Sequence, residues 1–265
     1  MSEINSISIL GCGWYGFPLA KKLLEKGYKV KGSTTTSGKL KIFEEVGIIP
    51  FKLDLNSEFD QYNPEFFKCD LLIISIPPKR SAGETDEYPI KIDRIKKALL
   101  QSAVKHVIFI SSTSVYGDNN EEVNEETQPQ PDTKSSGVVL KAENILKDQN
   151  IFSLTILRFA GLIGPNRLPG NFFRNKANIA NGKAPVNLIH QDDCIGVTLS
   201  IIDKQAFGYI FNAASVSHPQ KMDYYPAQAI KLGIDPPIFI PELTTWKIVA
   251  TKNAQQILNY TFKEL

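Results

Sequence analysis

Residues 11–16 read Gly-Cys-Gly-Trp-Tyr-Gly. Glycine at those three places lets a chain turn tightly out of a strand, bring its backbone against a pyrophosphate, and start a helix close to that strand. Gly11 permits the turn, Gly13 admits the phosphates and Gly16 lets the helix pack, while Cys12, Trp14 and Tyr15 complete the loop. The backbone N–H groups at the helix start then face the anion. A glycine turn that only joins strand to helix is the plainer alternative. Context favours the dinucleotide site, because an apolar run over residues 7–10 precedes the glycines and helical spacing follows at once, with Leu19 and Leu23, and Ala20 and Leu24, one turn apart.

Which dinucleotide is read at the end of the second strand, where NAD sites place Asp or Glu against the ribose 2′-hydroxyl. Residues 31–39 here are Lys-Gly-Ser-Thr-Thr-Thr-Ser-Gly-Lys, with hydroxyls and lysines and no carboxylate. NADP is therefore expected over NAD, with Ser33, Thr34 and Lys39 as leading contacts for its extra phosphate, and a solvated hydroxyl-rich loop as the alternative.

Other chemistry-bearing residues are weaker signals. Between Gln149 and Gln191 there is no Asp or Glu, yet Arg158, Arg167, Arg174, Lys176 and Lys183 are present. In a lobe over a crevice that imbalance draws an anionic substrate, and Arg80 stands where it could join; scattered solvated bases give the same sequence. Residues 118–132 carry the opposite imbalance, Glu121, Glu122, Glu125 and Glu126 without any base, which reads as a solvated loop. His190 and Asp193 with Ser112 invite comparison with a hydrolytic triad, but no Gly-x-Ser-x-Gly elbow supports it. Cys12 lies near a helix N-terminus, where a thiol can acidify, and is read as a packed turn residue.

The 265 residues suffice for a large core; 42% hydrophobic and 22% charged are ordinary globular proportions, and a formal charge of +2 gives no reason to invoke nucleic acid. Cys12, Cys69 and Cys194 are far apart and show no metal-ligand spacing, so a reduced, cytoplasmic chain without a structural metal is expected. Neither a signal peptide nor an apolar run of membrane-spanning length is expected.

The elements that must position these residues alternate. Residues 47–55 read as a strand, with Pro50 indicating an edge, and residues 69–77 as a buried parallel strand. A helix follows over residues 92–104, then strands at 106–111, 153–159 and 208–213. Strands alternating with helices give an α/β fold, a doubly wound parallel sheet, whose ligands bind beyond the strands' carboxyl ends. That rule selects residues 11–16, Ser33, Thr34, Thr35 and Thr36, Asp54, Ser75, Ile76 and Pro77, Ser111, Ser112, Thr113 and Ser114, and Phe159, Ala160 and Gly161, all converging on one crevice. After residue 160 Pro and Gly interrupt the pattern, which divides the chain into a dinucleotide-binding domain over residues 1–160 and a smaller, loop-rich lobe over 161–265, with 208–213 returning to the sheet.

Three further segments accompany the glycine turn: Ser111-Ser112-Thr113-Ser114-Val115-Tyr116-Gly117, Leu157-Arg158-Phe159-Ala160-Gly161-Leu162-Ile163-Gly164-Pro165 and Leu188-Ile189-His190-Gln191-Asp192-Asp193. With it they resemble the extended short-chain dehydrogenase/reductase family of NAD(P)-dependent epimerases and dehydratases. The resemblance implies a Rossmann domain with a C-terminal substrate lobe, a small-molecule substrate and a homodimer. It implies that Ser112 hydrogen-bonds the reacting oxygen, where a strand-end cap is the alternative, and that Tyr116 has a catalytic or, more in keeping with the family, an architectural role. Asp54 and Leu55 resemble the family's adenine-contacting pair. His190 falls in a segment that anchors the lobe and is a candidate substrate contact with Arg80, Ser114, Arg167 and Arg174.

The chain also departs from that family. Proton transfer at an alcohol carbon is served by a tyrosine acidified by a lysine one helical turn on, and here Ser136 and Leu140 stand in their places. Gly161 stands where many sugar-nucleotide enzymes carry asparagine. The expectation is an NADP-binding oxidoreductase or epimerase-like enzyme with atypical acid/base machinery; the alternative is a non-catalytic protein that responds to NADP.

Overall fold

The computed structural model describes residues 4–55, 62–78, 84–147 and 149–265. It begins with β1 (Ser6–Leu10), followed by α1 (Gly16–Glu25), β2 (Lys29–Thr34), α2 (Gly38–Glu45), β3 (Ile49–Lys52), β4 (Leu71–Ile74), α3 (Glu84–Leu100) and β5 (His106–Ser112). The remaining elements are β6 (Glu121–Val123), α4 (Lys134–Lys147), β7 (Ser153–Phe159), β8 (Gly161–Ile163), β9 (Leu188–His190), α5 (Gln191–Asp203), β10 (Ile210–Ala213), α6 (Lys221–Lys231), β11 (Lys247–Val249) and α7 (Lys252–Leu258).

Seven strands form one sheet in the order β10-β7-β5-β4-β1-β2-β3. The pairings β3–β2, β2–β1, β1–β4 and β4–β5 are all parallel. Alternation along β1 explains why helices lie on both faces. Ile9 lies against Gly16 of α1, while Leu10 joins a buried cluster with Ile92, Ile95 and Leu99 of α3 and Val138, Ala142 and Leu146 of α4. The run Leu71-Leu72-Ile73-Ile74 has no polar face because both sides of β4 are covered.

Strands β3, β4 and β10 are shorter than the apolar runs suggest. Gly47 sits at φ 85° and ends α2 rather than opening β3, and Pro50, which has no N–H to donate, lies on the edge strand. The helix expected from residue 92 begins at Glu84 and carries Pro89 within it. Residues 118–132 are not simply a solvated loop: β6 pairs in parallel with β11, and Glu125 is only 9% exposed.

The chain divides into two compact units. The first comprises Met1–Ser112, Thr133–Leu157 and Ile201–Ile210; the second comprises Thr113–Asp132, Arg158–Ser200 and Phe211–Leu265. The second has its own small core, in which Ile163, Val186, Leu188, Tyr224 and Tyr225 pack with Phe173 and Phe239. Phe173 meets Tyr225 edge-on at 4.7 Å and Phe239 at 5.3 Å. Among the described residues, no helix is long and apolar enough to cross a membrane.

Candidate functional site

The turn from β1 into α1 gathers the carboxyl ends of three strands. Gly11 N–H donates to Ser33 Oγ at 3.0 Å, and Cys12 N–H to the Ser33 carbonyl at 3.0 Å. From β4, Ser75 N–H donates to the Leu10 carbonyl at 2.8 Å and Ser75 Oγ to the Gly11 carbonyl at 2.8 Å. Gly11, Cys12, Ser33, Ser75 and Ile76 therefore form one cluster at the ends of β1, β2 and β4.

The three glycines occupy different surroundings. Gly11 has φ 93°, and a Cβ there would stand 2.9 Å from Ile76 Cγ2 and 3.0 Å from the Ser75 backbone. At Gly16 a Cβ would stand 2.7 Å from the Gly11 carbonyl oxygen and 3.0 Å from Ile9 Cγ2. Both glycines are demanded by the fold. Gly13 is exposed, lies outside the positive-φ residues, and a Cβ there would meet nothing within 4 Å. Neither local conformation nor packing accounts for glycine at that position, and its missing Cβ leaves the backbone open to close approach. Behind it α1 starts with no side-chain hydrogen bond from its N-cap and no acidic residue in its first turn, so the positive end of its dipole meets no carboxylate of its own. The turn fits a dinucleotide's phosphates.

Cys12 is packed rather than reactive. Burial pushes its thiol up to about 12, against a smaller pull downward from Lys39. Tyr15 is the buried N-cap of α1, while Trp14 is half-buried. Beyond β2, Ser33 is only 3% exposed and spends its hydroxyl on Gly11; Thr34 Oγ1 accepts from Thr36 N–H at 3.1 Å, and Lys39 is exposed. Lys31 is buried and donates to the carbonyls of Glu65 and Lys68, so it closes the turn at Pro64–Phe67 instead of facing a ligand. Asp54 is exposed, whereas Leu55 packs in the first unit's core and its carbonyl accepts from Arg94 Nη1 at 2.6 Å. Ile76 accepts at its carbonyl from Tyr88 Oη at 3.1 Å, and Pro77 is exposed. Arg80 lies outside the described residues.

At the end of β5, Ser111 and Ser112 lie side by side. Ser111 is buried and donates to Glu143 Oε1 at 2.6 Å; Ser112 is half-buried. Glu143, which sequence reasoning missed, is wholly buried on α4. It shares one helical face with Ser136, Leu140 and Lys147, and Lys147 Nζ lies 3.6 Å from its second oxygen. A carboxylate interrupting the buried series Val138, Val139, Ala142 and Leu146 is the signal that could have revealed it. Ser136 is 2% exposed and bound up with Thr133: each main-chain N–H donates to the other's side-chain oxygen at 3.1 Å, and Ser136 Oγ reaches the Thr133 carbonyl at 2.9 Å. The residue in the tyrosine's place is thus a helix cap.

In the second unit, Ser114 is exposed on the short turn Thr113–Val115, and Phe159 is buried at the end of β7. The Tyr116 hydroxyl accepts from Arg158 Nη1 at 2.6 Å and lies 2.9 Å from the Asn124 carbonyl and 3.1 Å from Asn212 Oδ1. Arg158, 1% exposed, also stacks over the Tyr116 ring at 4.9 Å. It is buried structure, which separates it from Arg167 and Arg174, both exposed. Glu125 Oε1 accepts from the N–H groups of Asn212 at 2.9 Å and Asn253 at 3.2 Å. His190 lines an open cavity of about 560 Å³ with Pro165, Leu168, Tyr224, Lys231 and Lys263. Its Nδ1 accepts from Asp192 N–H at 3.2 Å, while Asp193 is taken by Tyr260 Oη and Lys263 N–H, each at 3.0 Å. That leaves no His190–Asp193 pair of the kind a triad needs. No cluster of three or more His, Cys, Asp or Glu that could hold a metal exists among the described residues.

Comparison with known proteins agrees with this fold. The sequence model of the NAD dependent epimerase/dehydratase family matches residues 7–194. The protein YeeZ of Escherichia coli K12 is 34% identical over 247 residues, spanning 92% of this chain and 90% of its own. A short-chain dehydrogenase/reductase superfamily protein from Agrobacterium tumefaciens, solved with bound NAD, superposes with a TM-score of 0.81 at 16% identity, over 98% of this chain and 93% of that one. The UDP-glucuronic acid 4-epimerase of Bacillus cereus, in complex with NAD, gives 0.79 at 18% identity, over 98% and 92%. At those identities the structural likeness is one of fold.

Proposed function

The chain belongs to the NAD dependent epimerase/dehydratase family, and from that premise we propose that residues 11–16 hold the pyrophosphate of NADP or NAD in an oxidoreductase or epimerase-like enzyme with a small, anionic substrate. The observation that carries this reading is Gly13, a glycine that neither backbone conformation nor packing requires, set in front of an uncapped helix start. NADP is the preferred form because residues 31–39 hold no carboxylate to repel a 2′-phosphate and Lys39 is exposed beside hydroxyl-bearing neighbours. When bound, such a cofactor would supply hydride chemistry.

Ser112 orients the reacting oxygen in this reading. With Ser136 sealed into a cap and Leu140 unable to supply charge, the remaining polar groups at the end of β5 are Ser112 and the Ser111–Glu143 pair. Glu143 acts as a positioning residue that fixes Ser111 beside Ser112. The same cap favours the other reading, a dinucleotide-responsive protein without catalysis.

Thermal shift with NADP and NAD tests the first step, since a ligand that binds only the folded state raises the melting temperature. A shift larger for NADP than for NAD, with the preference reduced in Lys39→Met, is expected; no shift with either removes both readings. Turnover of NADPH with a panel of carbonyl compounds and sugar nucleotides, compared with Ser112→Ala and Glu143→Gln, then separates enzyme from sensor. Turnover unchanged in Ser112→Ala removes that serine from the chemistry.

A further inference from the structure

The cavity beside His190 is built wholly within the second unit, and close contacts fix each of its walls. Gly164 and Arg167 exchange N–H to carbonyl bonds at 3.2 and 2.9 Å across a turn that holds Asn166 at φ 62°. The segment after that turn lies tight on α6: a Cβ at Gly170 would stand 2.5 Å from the Gln228 carbonyl oxygen. Residues 263–265 form a third wall. Lys263 N–H donates to Asp193 Oδ2 at 3.0 Å, Ser215 Oγ to the Lys263 carbonyl at 2.8 Å, and Leu265 N–H to Ser217 Oγ at 2.9 Å. The cavity's volume of about 560 Å³ is that of a small-molecule site, for which roughly 300–1,000 Å³ is usual.

The lining has an apolar part and a polar part. Ile163, Pro165, Leu168 and Pro169 bring apolar surface, and Leu168 is 43% exposed. From α6 come Tyr224, Gln228 and Lys231, spaced four and three residues apart and so on one helical face. Tyr224 is buried and Gln228 half-buried, yet neither the tyrosine hydroxyl nor the glutamine amide has a hydrogen-bond partner among the described residues. His190 adds a third open group, because its Nδ1 accepts from Asp192 N–H at 3.2 Å and the proton of the neutral ring is left on Nε2.

The charges suit an anion poorly. Three lining carboxylates, Asp192, Asp193 and Glu264, stand against two lysines. Asp193 is spent on Tyr260 and the Lys263 N–H, Asp192 lies 3.4 Å from Lys263 Nζ, and Lys231 and Glu264 are exposed, where solvent screens them. What the cavity keeps free is therefore neutral: a hydroxyl, an imidazole N–H and an amide that both donates and accepts.

We infer that this cavity binds a small, neutral, ring-shaped molecule with a lactam-type edge, an N–H beside a carbonyl. Gln228 pairs with that edge, donating to its oxygen and accepting from its N–H, while Tyr224 and His190 offer further donors and the ring lies against Pro165 and Leu168. Burying such an edge costs free energy unless both of its groups are paired, so the amide of Gln228 selects for it. The site goes beyond the dinucleotide reading, which uses residues 11–16 of the first unit and an anionic substrate.

Calorimetric titration of the full chain without cofactor, using the bicyclic lactam carbostyril, tests the site. Saturable binding is expected, at least about tenfold tighter than that of naphthoate, a bicyclic ring of like size that carries a carboxylate. N-methylcarbostyril, which has lost the N–H, should bind about tenfold more weakly than carbostyril, the worth of one partner left unmade in a buried site. Gln228→Leu, which keeps a strong helix former at that place, should weaken carbostyril to the same extent and erase its advantage over the N-methyl form. Saturating NADP or NAD should not displace the probe. No saturable carbostyril binding overturns the inference. So does naphthoate or N-methylcarbostyril binding as tightly to the wild type, which decides the matter even where Gln228→Leu does not fold. A folded Gln228→Leu that still separates the two lactams overturns it as well, as does displacement by either dinucleotide, which would put the probe at the glycine turn.

Discussion

Helices α1 and α4 both begin in the first unit, and each must deal with the unsatisfied N–H groups that open any helix. In α4 the problem is solved internally, by the reciprocal bonds between Thr133 and Ser136. In α1 no side chain does this: the start has no side-chain cap and no acid in its first turn, the backbone satisfies Phe17 N–H through the Gly13 carbonyl at 2.9 Å, and the exposed Gly13 lies in front. A helix start sealed by its own side chains has little left to offer a ligand, while one left bare behind an open glycine presents donors and a positive dipole end to an anion. The polar residue that alignment places at the catalytic tyrosine belongs to the sealed start.

The strongest way to break this contrast is Gly16→Ala. A methyl group 2.7 Å from the Gly11 carbonyl forces α1 away from β1, with an expected loss of about 2–3 kcal/mol in chemical denaturation. Gly13→Ala sharpens it, since unfolding should move by no more than about 0.5 kcal/mol while dinucleotide affinity falls at least about tenfold. Affinity unchanged there would mean that the open glycine does not serve a ligand. At the sealed start, Ser136→Ala should cost about 1 kcal/mol of stability and leave dinucleotide affinity as it was; a large drop in affinity would show that α4 is not merely capped.

The smallest effect concerns a third helix start, that of α7, where the remote carboxylate of Glu125 accepts from Asn253 N–H. Burial holds the Glu125 carboxyl above its ordinary pKa, and its backbone hydrogen bonds oppose the shift. An acid with a higher pKa folded than unfolded binds more protons in the folded state. Its contribution to stability is therefore fullest below the ordinary carboxylate pKa and is lost as pH rises through the folded value. Denaturation midpoints followed upward from the acid side should show that decline in the wild type and a flatter profile in Glu125→Gln.

Much of the fold was legible because it is local. The glycine turn, the helix behind it and the apolar runs at β4, β5 and β7 depend on neighbours within a few residues, and β7 runs over the expected Ser153–Phe159. The edge position of β3 was legible from Pro50 for the same reason. The start of α3 was not, because Pro89 argues for a boundary, although Tyr88 keeps the helical spacing with Ile92 and packs in the same cluster. The pairing of β6 with β11 joins three-residue segments far apart in the chain, too short to carry a periodic signal.

At the candidate site the division falls between backbone and side chain. By itself the sequence determined where the chain turns and which backbone is exposed, since glycine acts through its own missing Cβ. Only the tertiary structure decided what each polar side chain is used for: Ser33 holds Gly11, Lys31 closes a distant turn, Arg158 lies on Tyr116 and Glu143 meets Ser111. A hydrogen bond or ion pair needs its partner within about 3–4 Å, and which groups come that close is set by how distant segments pack.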